Sequence, residues 1–148
     1  MIKTVAIACD HGGYELKLEV MKHLEEKGIA YKDFGCDSTD SVDYPDYGTP
    51  AAKAVAAGEF DAGILICGTG IGMSLCANKI KGIRASVCTD TFVARMTRAH
   101  NNSNVLCMGA RVVGVGLALD IVDAYLSTEF EGGRHSVRIE KVMRLENE

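Results

Sequence analysis

Apolar and polar positions follow two rhythms along the chain. Unbroken apolar runs occur at TVAIAC (4–9), AGILIC (62–67), RASVC (84–88) and NVLCMG (104–109), with a weaker one at AYKDFG (30–35). Such runs, bounded by turn residues, predict strands. Between them, apolar residues return at helical spacing over 14–27, where Leu16, Val20 and Leu24 share a face, and over 47–57, 71–79, 91–100 and 114–125. Strand and helix therefore alternate. That order predicts an α/β fold with a five-stranded parallel, doubly wound (Rossmann-like) sheet and helices on both faces, because unbroken apolar strands need cover from both sides. Beyond the last sheet helix, FEGGRHSVRIEKVMRLENE (130–148) places a Gly132-Gly133 hinge before a C-terminal extension helix carrying Arg134 and Arg138. No internal repeat or low-complexity segment interrupts the pattern.

Composition narrows the setting. A chain of 148 residues fits one domain, 1–148, with room for a proper core. Charged residues make up 24%, apolar ones 47%, and the net charge is −4, which excludes disorder and any general attraction to nucleic acid. An anion site must then be local. The amino-terminal apolar stretch is too short for a secretory signal and no run reaches membrane-spanning length, so a cytoplasmic protein with no membrane partner is expected. Cys9, Cys36, Cys67, Cys76, Cys88 and Cys107 form no CxxC pair, and four of them close apolar runs. Reduced thiols are expected, with Cys9, Cys76, Cys88 and Cys107 acting as small buried hydrophobes.

In doubly wound sheets, ligands bind beyond the carboxyl ends of the strands, near the point where strand order reverses. The predicted strand ends here carry Asp10-His11-Gly12-Gly13, Cys67-Gly68-Thr69-Gly70, Thr89-Asp90 and Gly109-Ala110-Arg111. Asp10 and His11 have no evident packing reason to end a buried strand, which makes them functional candidates. The turn GTGIG (68–72) resembles a dinucleotide fingerprint, but its third glycine is replaced by Met73 and it follows the third strand rather than the first. A triphosphate loop is excluded because Gly72 is followed by Met73-Ser74, and a phospho-acceptor domain because Cys67 stands where an acid is needed.

What remains is physical. Small residues at a helix N-terminus leave backbone N–H groups free to stabilise negative oxygen. The same N-terminus favours thiolate over thiol, so Cys67 is a candidate nucleophile or proton carrier, and the residues alone leave both roles open. A tight turn would account for one or two glycines but not for the adjacent Thr69, Ser74 and thiol. Arg134 and Arg138, four apart, share a helical face and form either a phosphate clamp or a solvated basic face beside Glu140 and Lys141. His100, followed by Asn101 and Asn102, closes a helix and is either a structural C-cap or part of the chemistry.

These residues resemble the family of type B ribose-5-phosphate isomerases and the related galactose-6-phosphate isomerase subunits. The resemblance covers essentially the whole chain and is carried by ACDHGGYELK (8–17), DSVDYPDYG (40–48), ILICGTGIGMS (64–74), IRASVCTD (83–90), ARMTRAHNNSNVLCMGARVVG (94–114) and EFEGGRHSVRI (129–139). It implies a homodimer that interconverts an aldose 5-phosphate and its ketose with no metal or organic cofactor, and leaves open whether dimers pair further into a tetramer. It implies that Cys67 is the general base, that Thr69 and the amides of Gly68, Gly70, Gly72 and Ser74 hold an enediolate, and that His100 assists ring opening, with Asp10 on sugar hydroxyls or in the same proton traffic. His11, Arg134 and Arg138 are implied phosphate ligands, with Asn101 and Arg111 at the substrate. Some relatives carry a glutamate base further along the turn. The corresponding position here lies near the apolar Leu75, so the cysteine variant applies. Isomerisation of allose 6-phosphate or galactose 6-phosphate by the same route is the alternative within enzymes, and a non-catalytic phosphosugar-binding module the alternative outside them.

Overall fold

The computed structural model describes residues 1–148. Its elements follow the predicted alternation: β1 (Thr4–Cys9), α1 (Tyr14–Glu26), β2 (Ala30–Asp33), α2 (Tyr44–Ala56), β3 (Ala62–Cys67), α3 (Ile71–Asn78), β4 (Ala85–Val87), α4 (Thr91–Asn101), β5 (Val105–Gly109), α5 (Val115–Ser127) and α6 (Arg134–Arg144). Short 3₁₀ turns at His11–Gly13 and Leu145–Asn147 complete the chain.

All five strands are parallel, in the order β2-β1-β3-β5-β4. The central strands β1, β3 and β5 are buried almost throughout, as their unbroken apolar sequence requires. Side chains alternate across them into two cores. On one face Val5, Ile7, Ile64, Ile66, Leu106 and Met108 pack against α1 and α5. On the other, Ala6, Ala8, Leu65, Val105 and Cys107 meet Ala51, Ala52 and Val55 of α2 and Met73 and Ala77 of α3. The small residues of α2 allow close approach, and a Cβ on Gly48 would lie 2.5 Å from Met73 Sδ, so the Met73 side chain would have to shift.

The edge elements depart from their expected lengths. β2 ends at Asp33 because the chain turns at Gly35 (φ +97°), and Asp33 is held by the fully buried Lys17, whose Nζ also donates to Cys36 O at 2.6 Å. α2 begins at Tyr44 rather than 47, since Pro45 lies in the first turn, where its missing N–H costs nothing. No helix is long and apolar enough to cross a membrane.

Strand order reverses between β1 and β3, for β1 leads outward to β2 and the chain then crosses back to β3. The carboxyl ends of these two strands are therefore where a ligand crevice is expected.

Candidate active site

At the reversal point the ends of β1, β3 and β5 converge through backbone contacts. Asp10 N–H donates to Ile66 O at 3.1 Å, Ala110 N–H to Cys67 O at 2.9 Å, and Arg111 N–H to Gly68 O at 3.0 Å. Glycines make this approach possible. A Cβ on Gly13 would lie 2.5 Å from Ile66 O, and one on Gly109 would lie 2.5 Å from Thr69 C. Gly70 is doubly constrained, with φ +81° and only 2.9 Å between Met108 C and the place a Cβ would take.

Cys67, 4% exposed, is the last residue of β3 and its Sγ accepts the Gly70 N–H at 3.1 Å. Ile71 N–H is turned to Thr69 Oγ1 at 3.2 Å, which leaves the Thr69 hydroxyl hydrogen free to donate elsewhere. The amides of Gly68, Thr69 and Gly72 have no partner within the chain and remain as donors. Ser74, expected among these donors, instead gives its N–H to Gly70 O at 3.1 Å and its hydroxyl to Ile71 O at 2.7 Å within α3. The Arg111 side chain lies over Gly68, where a Cβ would be 3.3 Å from Nη1. A thiol, a row of amides, a hydroxyl and a guanidinium thus meet at one crevice.

Asp10 and His11 have local duties that their sequence did not reveal. Asp10 is not without a structural reason: its Oδ1 caps the 3₁₀ turn by accepting the N–H groups of Gly12 (2.9 Å) and Gly13 (3.2 Å). Its second oxygen carries no such bond. His11 Nδ1 accepts the Val42 N–H at 3.2 Å, so in the neutral ring the proton sits on Nε2, which becomes a donor. No short-range pattern pairs His11 with Val42, because the two are brought together by the loop after β2.

The other cysteines are separated from Cys67 by their surroundings. Burial pushes the Cys9 and Cys88 thiols up to about 12 and holds Cys107 well above its ordinary value. Cys76, expected to be buried, is only half-buried on α3, and its thiol is also raised by burial. All six are free thiols.

The remaining predicted site residues lie at the other end of the sheet. His100 and Asn101 finish α4, just before β5 begins, with Asn102 in the left-handed conformation (φ +46°) as the cap. Arg134 and Arg138 lie exposed on α6, whose start is tied to α4 by Glu131 N–H donating to Ala99 O at 3.0 Å. Asn104, which follows this group, pairs with Gly63 at the start of β3, whereas Cys67 pairs with Gly109 at its end. Within one chain the two groups are thus separated by the length of a six-residue strand, about 17 Å. Nothing in the linear order of residues signals this division, since both groups belong to motifs of the same chain.

A family model described as Ribose/Galactose Isomerase matches residues 5–142. The chain belongs to the ribose/galactose isomerase family. Among its relatives, ribose-5-phosphate isomerase B of Escherichia coli is 50% identical over 145 residues, covering 98% of this chain and 97% of that protein. A putative sugar phosphate isomerase of Bacillus subtilis is 56% identical over 139 residues, covering 93% of each chain. The solved structure of Clostridium thermocellum ribose-5-phosphate isomerase B superposes with a TM-score of 0.96 at 53% identity, covering 97% of both chains.

Proposed function

We propose that the protein interconverts ribose 5-phosphate and ribulose 5-phosphate through an enediolate, with Cys67 as general base, in a homodimer whose sites are shared between chains. The observation that carries the reading is the placement of Cys67 Sγ on the Gly70 N–H at the head of a turn whose Gly68, Thr69 and Gly72 amides are free. Moving a proton between adjacent carbons requires a base and, beside it, donors for the oxygen on which charge develops. Cys67 supplies the first. The Gly68, Thr69 and Gly72 amides supply the second, held by strand ends rather than by mobile side chains, so they need little rearrangement as charge appears. The Thr69 hydroxyl donates to the same oxygen.

The cyclic sugar must open first, which calls for an acid and base at the ring oxygen and the anomeric hydroxyl. His100 fills that role, with the free oxygen of Asp10 directed at the sugar hydroxyls. His11 presents Nε2–H, and Arg134 and Arg138 present guanidinium groups, to the phosphate. Since His100, Asn101, Arg134 and Arg138 lie a sheet length from Cys67, a second copy brings its own set to this crevice. Exposed apolar residues support such pairing: Ile71 and Leu75 on α3 and Phe92 on α4 are 55%, 59% and 62% exposed, and Val137 and Val142 on α6 are also uncovered.

The test is Cys67→Ala, assayed with ribose 5-phosphate alongside allose and galactose phosphates on the unaltered protein. Turnover in the variant is expected to fall by at least about 10²-fold while phosphosugar affinity stays nearly unchanged, because a base acts in the transition state. Retention of more than a tenth of wild-type turnover would remove Cys67 as the base.

A further inference from the structure

His100, Glu131 and His135 form a compact group whose contacts the isomerase reading does not use. The imidazoles of His100 and His135 are stacked, with ring centroids 4.2 Å apart and planes within 11°. Their Nε2 atoms lie 3.8 and 3.4 Å from the same Glu131 oxygen, Oε2. These contacts are longer than the charge-assisted hydrogen bond of about 2.7–2.9 Å that a histidine and a carboxylate make when they pair directly. One donor atom from each of the three residues lies within 4.8 Å of the others. Backbone bonds hold the group, since Glu131 N–H donates to Ala99 O and His135 N–H to Gly132 O.

We propose that His100 Nε2, Glu131 Oε2 and His135 Nε2 bind a divalent cation of the zinc class. Two imidazoles and one carboxylate are a donor set suited to zinc, and they leave a fourth position open to water. Tetrahedral zinc with ligands at about 2.0–2.1 Å sets its donors roughly 3.3 Å apart. The His135–Glu131 edge, at 3.4 Å, already matches. Near-parallel rings cannot both aim an in-plane Nε2 lone pair at one ion, so binding also requires His100, 38% exposed, to swing out of the stack toward Glu131, 58% exposed, while the buried His135 stays in place. The ion would occupy the imidazole that the proposed reaction needs for ring opening, so zinc acts as an inhibitor, and only this consequence rests on the isomerase reading.

The experiment titrates the intact protein with cobalt(II) chloride as a spectroscopic probe and then displaces it with zinc chloride. One ion per chain is expected, with cobalt d–d absorption but no thiolate charge-transfer band. Glu131→Gln, a change at an exposed position, and His135→Ala should each weaken binding by at least about tenfold. Absence of binding, undiminished binding in both variants, or a thiolate band indicating cysteine ligation would each overturn the site. In a parallel assay, zinc inhibition that is relieved in Glu131→Gln supports it. An occupied site with full isomerase activity would leave the cation site standing and count instead against the role given to His100.

Discussion

Cys67 differs from the other five thiols by its company rather than by its burial. It shares the interior with Cys9, Cys88 and Cys107, but it alone receives a turn N–H at the head of a helix, whereas loss of solvation dominates at those three and raises their thiols, at Cys9 even against Lys17 and a Cys36 backbone contact that pull it down. Thiols pushed up to about 12 stay protonated at pH 8, and the protonated form is a poor nucleophile. Brief iodoacetamide treatment of the folded protein at pH 8 should therefore spare Cys9 and Cys88, and phosphosugar should protect Cys67. Peptide mass mapping checks both outcomes, and labelling of Cys9 or Cys88 as fast as Cys67 would show that position in the turn confers no reactivity. The place of Cys67 at the head of the turn is legible because strand, thiol and glycines are contiguous. The capping duty of Asp10 is not, for it depends on a one-turn 3₁₀ helix that three residues with two glycines do not announce.

The central elements are readable for a related reason. A strand buried on both faces must be apolar at every position, and β1 and β3 match their predicted bounds residue for residue. Edge elements carry less pattern, and β4 shrinks to Ala85–Val87 where neighbouring side chains take over the pairing: Arg84 N–H donates to Asn104 Oδ1 and Ala85 N–H to Asn78 Oδ1. The extension helix α6 follows the glycine hinge as expected, and its arginines are exposed as a clamp for an external anion requires. Arg134→Ala and Arg138→Ala are each expected to raise KM for the phosphosugar about 10- to 100-fold, the worth of a charge-assisted contact, with a smaller effect on kcat. Steady-state kinetics test this. Unchanged saturation in both variants would return the arginines to a solvated face.

At the scale of the molecule, the two groups of site residues stand at opposite ends of one sheet, a fact no motif carries because it arises from strand direction and order. A shared site follows if the sheet ends of two copies are brought together by a two-fold axis. Mixing Cys67→Ala with His100→Ala chains under conditions that allow exchange should then recover about a quarter of wild-type activity, since random pairing makes half the dimers hybrid and each hybrid holds one intact site. Exchange demonstrated by mass spectrometry without any recovery would place Cys67 and His100 in the same functional unit. Dilution should lower specific activity in step with dissociation.

The crevice floor is made of main chain set closely on main chain at Gly13, Gly70 and Gly109, joined at Gly13 by the Ile66 side chain of β3 itself. Such a floor has no partial state: it loosens only when β1, β3 and β5 separate, and those strands are the centre of both cores. On heating, loss of turnover and loss of helical circular dichroism should therefore fall on one curve. At a protein concentration that keeps the chains paired, an inactivation midpoint well below the unfolding midpoint would mean that the floor melts by itself, and that the glycines give the crevice its shape without tying its durability to that of the fold.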